Sequence, residues 1–229
     1  MKHCFMGYQL LIWRRELNTK RPIYLLSPKP RGDVLSLPMI SFEQLAETID
    51  FAKFDILMFT SKQAVLTAEA IDPRWKETPT IAIGSATKKQ IESLGGTVLF
   101  HPHNFYGKEL AENIADFFQD RHILYLRPEK ISFDSKGYLA KKGILLQEQI
   151  IYRTLCIGYK PDVQPPEDAI IIFTSPSTIE CFLKNFDWLS SYTAVVIGKS
   201  TKIHLPSDAK FVVADTPLID ACIHKAKTL

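Results

Sequence analysis

The stretch Ile170-Ile-Ile-Phe-Thr-Ser-Pro-Ser-Thr-Ile179 decides the fold class, because four apolar residues run directly into hydroxyl side chains and then into a helical pattern. The stretch Ile56-Leu-Met-Phe-Thr-Ser-Lys-Gln-Ala-Val65 has the same arrangement. A short run that is apolar along its whole length is typical of a strand buried on both faces, as in a parallel sheet covered by helices. Each stretch therefore predicts a buried strand that leads into a helix.

A second pair of stretches repeats at the same offset along the chain. Ile81-Ala-Ile-Gly-Ser-Ala-Thr-Lys88 and Val195-Val-Ile-Gly-Lys-Ser-Thr-Lys202 agree at Ile, Gly, Thr and Lys. Two separate matches at one offset indicate an internal duplication. The alternation of strands and helices predicts two doubly wound α/β domains with parallel sheets, of the flavodoxin-like or Rossmann-like kind.

A third correspondence places the domain boundaries. Ile23-Tyr-Leu-Leu-Ser-Pro28 and Ile123-Leu-Tyr-Leu-Arg-Pro128 each read as an opening strand, but the first copy goes on without the helix that follows in the second. One domain is then discontinuous, and the two chain crossings form a hinge beside a cleft. The predicted boundaries are an extension at 1–21, a discontinuous domain at 22–36 plus 155–229, an inserted domain at 42–149, and hinge strands at 37–41 and 150–154.

Composition is that of an ordinary globular chain, with 229 residues of which 46% are hydrophobic and 23% charged. The net charge of +3 is concentrated in the first 21 residues, so the rest of the chain has no basic face for nucleic acid. The apolar run at 4–13 is too short to span a bilayer and lacks a signal-peptide cleavage site. The four cysteines show no CxxC or zinc-like spacing, and the chain is predicted to be cytoplasmic.

Small polar residues follow the four strands of the repeat, where ligands of open α/β sheets bind. Each group also lies at a helix N-terminus, where free backbone N–H groups and the helix dipole favour anions. The groups are Thr60 and Ser61; Gly84, Ser85, Ala86 and Thr87; Thr174, Ser175, Pro176 and Ser177; and Gly198, Lys199, Ser200 and Thr201. The alternative is that Ser and Thr simply cap these helices. Four groups at equivalent edges favour binding of several carboxylates or phosphates.

Common signatures of cofactor and nucleophile chemistry are missing from the sequence. There is no GxxxxGK[ST] phosphate loop and no GxGxxG dinucleotide fingerprint. No GxSxG nucleophile elbow occurs either. The sequence therefore predicts chemistry that needs neither a metal nor a dedicated nucleophile.

These features together resemble the uroporphyrinogen-III synthase family of tetrapyrrole biosynthesis. The resemblance covers the chain from about residue 22 to the C-terminus, and the order and spacing of the motifs make it specific. The motifs are Leu37-Pro-Met-Ile-Ser-Phe-Glu43, Phe59-Thr-Ser61, Ile83-Gly-Ser-Ala-Thr87, Ile150-Ile-Tyr-Arg-Thr154, Phe173-Thr-Ser-Pro-Ser177, Ile197-Gly-Lys-Ser-Thr201 and Thr216-Pro217.

The resemblance implies a reaction and a set of site residues. The family cyclises hydroxymethylbilane, a linear tetrapyrrole with eight carboxylates, to uroporphyrinogen III with inversion of ring D and loss of water in haem biosynthesis, without a cofactor. Tyr152 corresponds to the tyrosine proposed as proton donor to the leaving hydroxyl. Thr87 and Thr201 are candidate contacts to substrate carboxylates, with helix capping as the alternative role. Tyr106 is a weaker candidate, and Arg127 is expected either to pair with a carboxylate or to form a surface ion pair. The family also suggests a monomer that receives its substrate in transient hand-over from hydroxymethylbilane synthase.

Three departures from the family pattern keep other functions open. The helix expected after the first strand is missing, and residues 1–20 have no counterpart in the family. Where the family has a Gly-rich turn and a second Arg, this chain has Pro128–Asp134 instead. The alternatives are a non-catalytic two-lobed protein that binds a small anion or a tetrapyrrole, and an interaction domain that has kept the fold and lost the activity.

Overall fold

The computed structural model describes residues 21–31, 33–102 and 106–229, so residues 1–20 of the predicted extension lie outside the described residues. The described chain divides into two compact units. One unit contains residues 21–38 and 159–229, and the other contains residues 39–158.

Strands and helices alternate along most of the described chain. The strands are β1 Ile23–Leu25, β2 Leu35–Ser36, β3 Ile40–Gln44, β4 Ile56–Phe59, β5 Thr80–Ala82, β6 Val98–Phe100, β7 Ile123–Pro128, β8 Leu146–Cys156, β9 Ile170–Phe173, β10 Thr193–Val196 and β11 Lys210–Val213. The helices are α1 Lys62–Ile71, α2 Ser85–Ser93, α3 Gly107–Phe117, α4 Ser135–Ala140, α5 Pro176–Asn185, α6 Lys199–Lys202 and α7 Ile219–Lys227. Short 3₁₀ helices span Pro73–Glu77 and Pro161–Val163.

The discontinuous unit is built on a five-stranded parallel sheet in the order β11-β10-β9-β1-β2. The central strand β9 is buried along its whole length, as its unbroken apolar run predicts. Its register aligns Ile170 with Ile23 on one side and with Thr193 on the other. On one face of this sheet, buried side chains of β1, β9 and β10 pack against Cys222, Ile223 and Ala226 of α7.

The unit of residues 39–158 contains a six-stranded sheet in the order β3-β8-β7-β4-β5-β6. Its strands are parallel except for β3, which pairs antiparallel with β8 from Ile40 and Cys156 to Gln44 and Tyr152. Helices cover both faces, because β4 contributes Leu57 and Phe59 to one core cluster and Ile56 and Met58 to another. Strand β4, buried at every residue, therefore lies inside the sheet.

The predicted α/β class with parallel-dominated sheets is confirmed. No helix occurs between β1 and β2 in the described residues, where the sequence indicated that one was missing. The chain crosses between units at 38–39 and at 158–159, whereas the sequence placed hinge strands at 37–41 and 150–154. The difference arises because β3, at the edge of the six-stranded sheet, pairs with β8, so that both strands belong wholly to the unit of residues 39–158.

Gly96 provides the space for a buried tryptophan in the unit of residues 39–158. Trp75 is fully buried, lies edge-on to Phe59 with 5.5 Å between ring centroids, and donates its indole N–H to Glu69 at 2.8 Å. A Cβ atom at Gly96 would lie 2.6 Å from Trp75 ring carbons and 2.9 Å from a methyl carbon of Ile91. Only glycine fits between α2 and β6 without moving these side chains.

We expect Gly96→Ala to lower the free energy of unfolding by about 1–3 kcal/mol, because the added methyl group overpacks the core around Trp75. The midpoint of urea unfolding measures this loss. Gly158→Ala is the matched control, since no atom lies within 4 Å of its added Cβ. Equal midpoints for the two variants would contradict the packing argument.

Candidate active site

Ser61 and Ser175 act as helix caps. Ser61 Oγ accepts a hydrogen bond from the backbone N–H of Ala64 at 3.0 Å and so caps α1. Ser175 caps α5 through a capping box with Thr178, and Pro176 occupies the first turn. Both serines thus satisfy helix N–H groups that would otherwise lack a partner. At these two positions the serines have the capping role that the sequence offered as the alternative to anion binding.

The other two helix starts have glycine at the cap position. Gly84 precedes α2 and Gly198 precedes the short α6, and neither supplies a side-chain cap. Thr87 and Thr201 lie inside the first turn, are buried, and are not the cap residues of these helices. A first turn without a side-chain cap presents its N–H groups to an anion. Of the four groups predicted from the sequence, these two lie at helix starts without a side-chain cap.

Tyr152 connects strand β8 to the start of α1. Its hydroxyl lies 2.9 Å from Ser61 Oγ, and either oxygen can be the donor. The tyrosine is 4% exposed and packs in the core cluster beneath α1. Burial raises the pKa of Tyr152 above its ordinary value of 10.0, while the hydrogen bond to Ser61 lowers the pKa and so partly offsets burial. The phenol therefore keeps its proton through the neutral range.

Thr60 bonds to a second buried tyrosine on the neighbouring strand β7. The hydroxyls of Thr60 and Tyr125 lie 2.7 Å apart. Burial raises the pKa of Tyr125 to about 12, against the opposing effects of the Thr60 hydrogen bond and the positive charge of Arg127. Successive residues of one loop thus hold two tyrosines, Thr60 binding Tyr125 and Ser61 binding Tyr152.

Arg127 is engaged by groups of its own unit. Its guanidinium donates to the carbonyl oxygens of Pro128 and Glu129 at 2.9 and 3.0 Å. Its Nε lies 3.2 Å from an oxygen of Glu148, in an ion pair whose side chains are 15% and 13% exposed. The contact to Glu148 has the distance of an ion pair but does not have hydrogen-bond geometry, so Arg127 Nε has no hydrogen-bond partner among the described residues. These contacts make Arg127 a support for the turn after β7.

The structure brings some predicted site residues together within each unit. Thr60 and Ser61 follow the end of β4, and Ser61 lies within hydrogen-bond distance of Tyr152 in the interior of β8. Gly84–Thr87 follow β5, which is the strand next to β4 in the sheet. In the other unit, residues 174–177 follow β9 and residues 198–201 follow the adjacent β10. Tyr106 precedes α3, is 55% exposed, and has no side-chain cap role.

Sequence reasoning missed Tyr125 and Glu148. Tyr125 is the polar-ended residue in the otherwise apolar run Ile123–Leu126, and a buried tyrosine usually has a hydrogen-bond partner for its hydroxyl. Glu148 lies between two glutamines of β8, with no sign in the sequence that it would be buried. Its role becomes visible only when β7 and β8 pair and bring Arg127 beside it.

The residues that the structure describes contain neither a metal-binding cluster nor a membrane-spanning helix. Within them, no group of three or more His, Cys, Asp or Glu side chains is arranged to hold a metal ion. None of their helices is long and apolar enough to cross a membrane.

A family model described as uroporphyrinogen-III synthase HemD matches residues 30–224. The chain belongs to the uroporphyrinogen-III synthase family. The resemblance seen in the sequence motifs is thereby confirmed. The match extends from the β1–β2 loop into α7 and so covers all of the motifs on which the resemblance was based.

Solved structures of uroporphyrinogen-III synthases have the same fold. The enzyme from Helicobacter pylori 26695 is 25% identical, with a TM-score of 0.76 over 91% of this chain and 99% of that one. A mutant of the enzyme from the extremely thermophilic bacterium Thermus thermophilus has a TM-score of 0.55 at 10% identity, over 91% of this chain and 98% of that one, which shows the fold alone.

A curated relative is longer than this chain. The porphyrin biosynthesis protein HemD of Ruminiclostridium josui is 29% identical to this chain in an alignment of 185 residues. The alignment covers 74% of this chain. The alignment spans 37% of the relative's own length.

The raised pKa of Tyr125 predicts a pH dependence of stability. The unfolded phenol ionises from about pH 10, whereas the folded one stays neutral to about pH 12, so its stabilising contribution is complete below pH 10 and is lost as the pH rises towards 12. We expect Tyr125→Phe to cost about 0.5–1.5 kcal/mol at pH 8. The difference in free energy of unfolding between wild type and Tyr125→Phe should shrink by up to roughly 1.4 kcal/mol per pH unit above pH 10.

Urea unfolding of both proteins at pH 8, 10 and 11 measures that difference. Tyr106→Phe is the control for loss of a tyrosine hydroxyl, because it removes that group from an exposed side chain. A difference between wild type and Tyr125→Phe that stays constant from pH 8 to pH 11 would contradict the prediction.

Proposed function

We propose that this protein is a uroporphyrinogen-III synthase, which cyclises hydroxymethylbilane to uroporphyrinogen III with inversion of ring D and loss of water. The observation that carries the proposal is the buried phenol of Tyr152, hydrogen-bonded to Ser61 at the N-terminus of α1. Membership of the family supports the reaction type. The geometry supports Tyr152 as the group that starts it.

The first step is proton transfer to the leaving hydroxyl. The Tyr152 phenol gives its proton to the terminal hydroxyl of the substrate, the C–O bond breaks, and water leaves. The products are an azafulvenium cation on the substrate and a phenolate on Tyr152. When Ser61 donates to the tyrosine oxygen, the phenolic proton is free for the substrate, and the same bond stabilises the phenolate that remains.

The N-terminus of α1 strengthens this effect. Ser61 is the cap residue of α1, so the tyrosine oxygen gains its negative charge beside the positive end of the helix dipole. Burial favours the neutral phenol, and these two interactions oppose it by stabilising the phenolate as it forms in the transition state.

The remaining steps exchange carbon–carbon bonds without a second leaving group. The substituted carbon of ring D attacks the cation to give a spiro intermediate, the older bond to that carbon breaks, and the released methylene joins the unsubstituted carbon of ring D. That carbon loses a proton, which balances the proton supplied by Tyr152. The protein's main task is to hold the chain so that attack at the crowded carbon occurs before simple closure.

The eight carboxylates of the substrate suit the helix starts described above. We propose that carboxylates bind the uncapped first turns at 84–87 and 198–201, where N–H groups and the helix dipole favour anions. Thr60, Ser61 and residues 174–177 contribute further small polar groups, and Tyr106 and Arg127 stay secondary candidates. Backbone donors bind each carboxylate modestly, which permits release of the product.

The proposal extends to the setting of the enzyme. A monomer in the cytoplasm would receive the unstable bilane directly from hydroxymethylbilane synthase. Family membership supports a small-molecule tetrapyrrole as the substrate.

The activity itself is tested with purified protein and freshly generated hydroxymethylbilane. After quenching and oxidation, the type I and type III uroporphyrins are separated chromatographically. We expect type III in an amount that scales with the protein added. Type I alone, as buffer gives, would favour the non-catalytic binding protein that the sequence left open.

We expect Tyr152→Phe to lower kcat by roughly 10²–10⁴-fold without abolishing it, because it removes the proton donor and leaves the positioning of the substrate intact. Single-turnover rates of type III formation measure the loss. Tyr125→Phe is the matched control, because it removes the same kind of hydroxyl–hydroxyl bond on the adjacent strand and should stay near wild type. Near-normal turnover by Tyr152→Phe would remove this residue from the mechanism.

A further inference from the structure

Phe42 is an exposed aromatic residue beside the proposed acid. It lies on β3, the edge strand of the six-stranded sheet, and is 36% exposed. Phe42 belongs to the motif Leu37–Glu43 and has no role in the steps proposed above. An exposed phenylalanine next to a catalytic group requires an explanation.

Phe42 and Tyr152 are in direct ring contact. Their centroids are 5.7 Å apart with an interplanar angle of 80°, the edge-to-face arrangement that aromatic pairs prefer. The pairing of β3 with β8 produces this contact, because Phe42 is opposite Thr154 and Gln44 is opposite Tyr152. Phe42 and Tyr152 are therefore diagonal neighbours on one face of the ribbon.

The next residue along β3 fixes the register of this contact. Glu43 accepts two hydrogen bonds from the guanidinium of Arg153, at 2.8 and 3.1 Å. This bidentate pair lies between the Phe42–Thr154 and Gln44–Tyr152 pairs and holds the two strands in step. Phe42 is thus held at a defined distance from the tyrosine.

We infer that Phe42 contacts the substrate ring that carries the leaving hydroxyl and stabilises the azafulvenium cation through its π face. The inference rests on the proposed function. For proton transfer, the hydroxyl must come within about 2.6–3.2 Å of the tyrosine oxygen. The reacting pyrrole then lies beside the Tyr152 ring, within reach of an aromatic side chain whose centroid is 5.7 Å from that ring.

The physical basis is the change of charge on the reacting ring. The pyrrole is neutral before the C–O bond breaks and cationic afterwards, and an aromatic face attracts a cation more strongly than a neutral ring. An interaction that grows as the charge develops lowers the barrier and leaves substrate binding almost unchanged. Phe42 is on this basis a catalytic residue, whose removal affects rate more than affinity.

The experiment replaces Phe42 and measures single-turnover formation of type III product with enzyme in excess. We expect Phe42→Leu to slow this step by about 2- to 30-fold with little change in KM, and Phe42→Trp to retain the rate. Phenylalanines with one, two or three ring fluorines at position 42 should slow the step progressively, because each fluorine weakens the negative potential of the ring face.

The control is the same set of substitutions at Phe117, which is 68% exposed at the end of α3 in the same unit. These should leave the rate unchanged. Thermal unfolding of every variant separates loss of rate from loss of structure.

Each outcome decides the inference. A rate that falls with each fluorine at an unchanged unfolding temperature supports it. Slowing by leucine without any effect of fluorine would show a role for shape alone and overturn it. Unchanged rates in all Phe42 variants, with type III still formed, would overturn this inference and leave the proposed function standing. If the wild type forms no type III, the proposed function fails and the inference fails with it.

Discussion

The pair of hydrogen bonds at Ser61 is the interaction on which the candidate site depends. Its Oγ accepts from the N–H of Ala64 and lies within hydrogen-bond distance of the Tyr152 hydroxyl. One side chain therefore fixes where α1 begins and where the phenol points. Since the cap stabilises the helix whether or not a ligand is bound, the tyrosine is already oriented for the reaction proposed for it. A change at Ser61 would alter the helix start and the site together.

The helix starts that follow the carboxyl ends of the strands are of two kinds. Where serine precedes the helix, as at Ser61 and Ser175, its side chain accepts a hydrogen bond from one N–H group of the first turn. Where glycine precedes it, as at Gly84 and Gly198, those groups have no side-chain cap. A side-chain cap stabilises a helix start, whereas an uncapped first turn leaves N–H groups for a ligand. The carboxylate sites proposed at 84–87 and 198–201 lie at the two uncapped starts.

The buried and partly buried polar side chains near these helix starts are either neutral or paired. Tyr125 and Tyr152 stay protonated because burial opposes their ionisation. Arg127 is balanced by Glu148 and by two backbone carbonyls of the turn at 128–129. The arginine thereby supports the turn after β7.

The sequence by itself determined the duplication, the α/β class and the positions at which strands end and helices begin, because these depend on local apolar patterns and on short motifs such as Phe59-Thr-Ser61. It also identified Tyr152 as a candidate through a motif. Only the tertiary structure decided which hydroxyls are caps, that Thr60 bonds to Tyr125, that Arg127 pairs with Glu148, and that Phe42 lies against Tyr152. These contacts join residues far apart in the chain, and their distances depend on strand order and register. Neighbouring residues along one strand do not fix that order or that register.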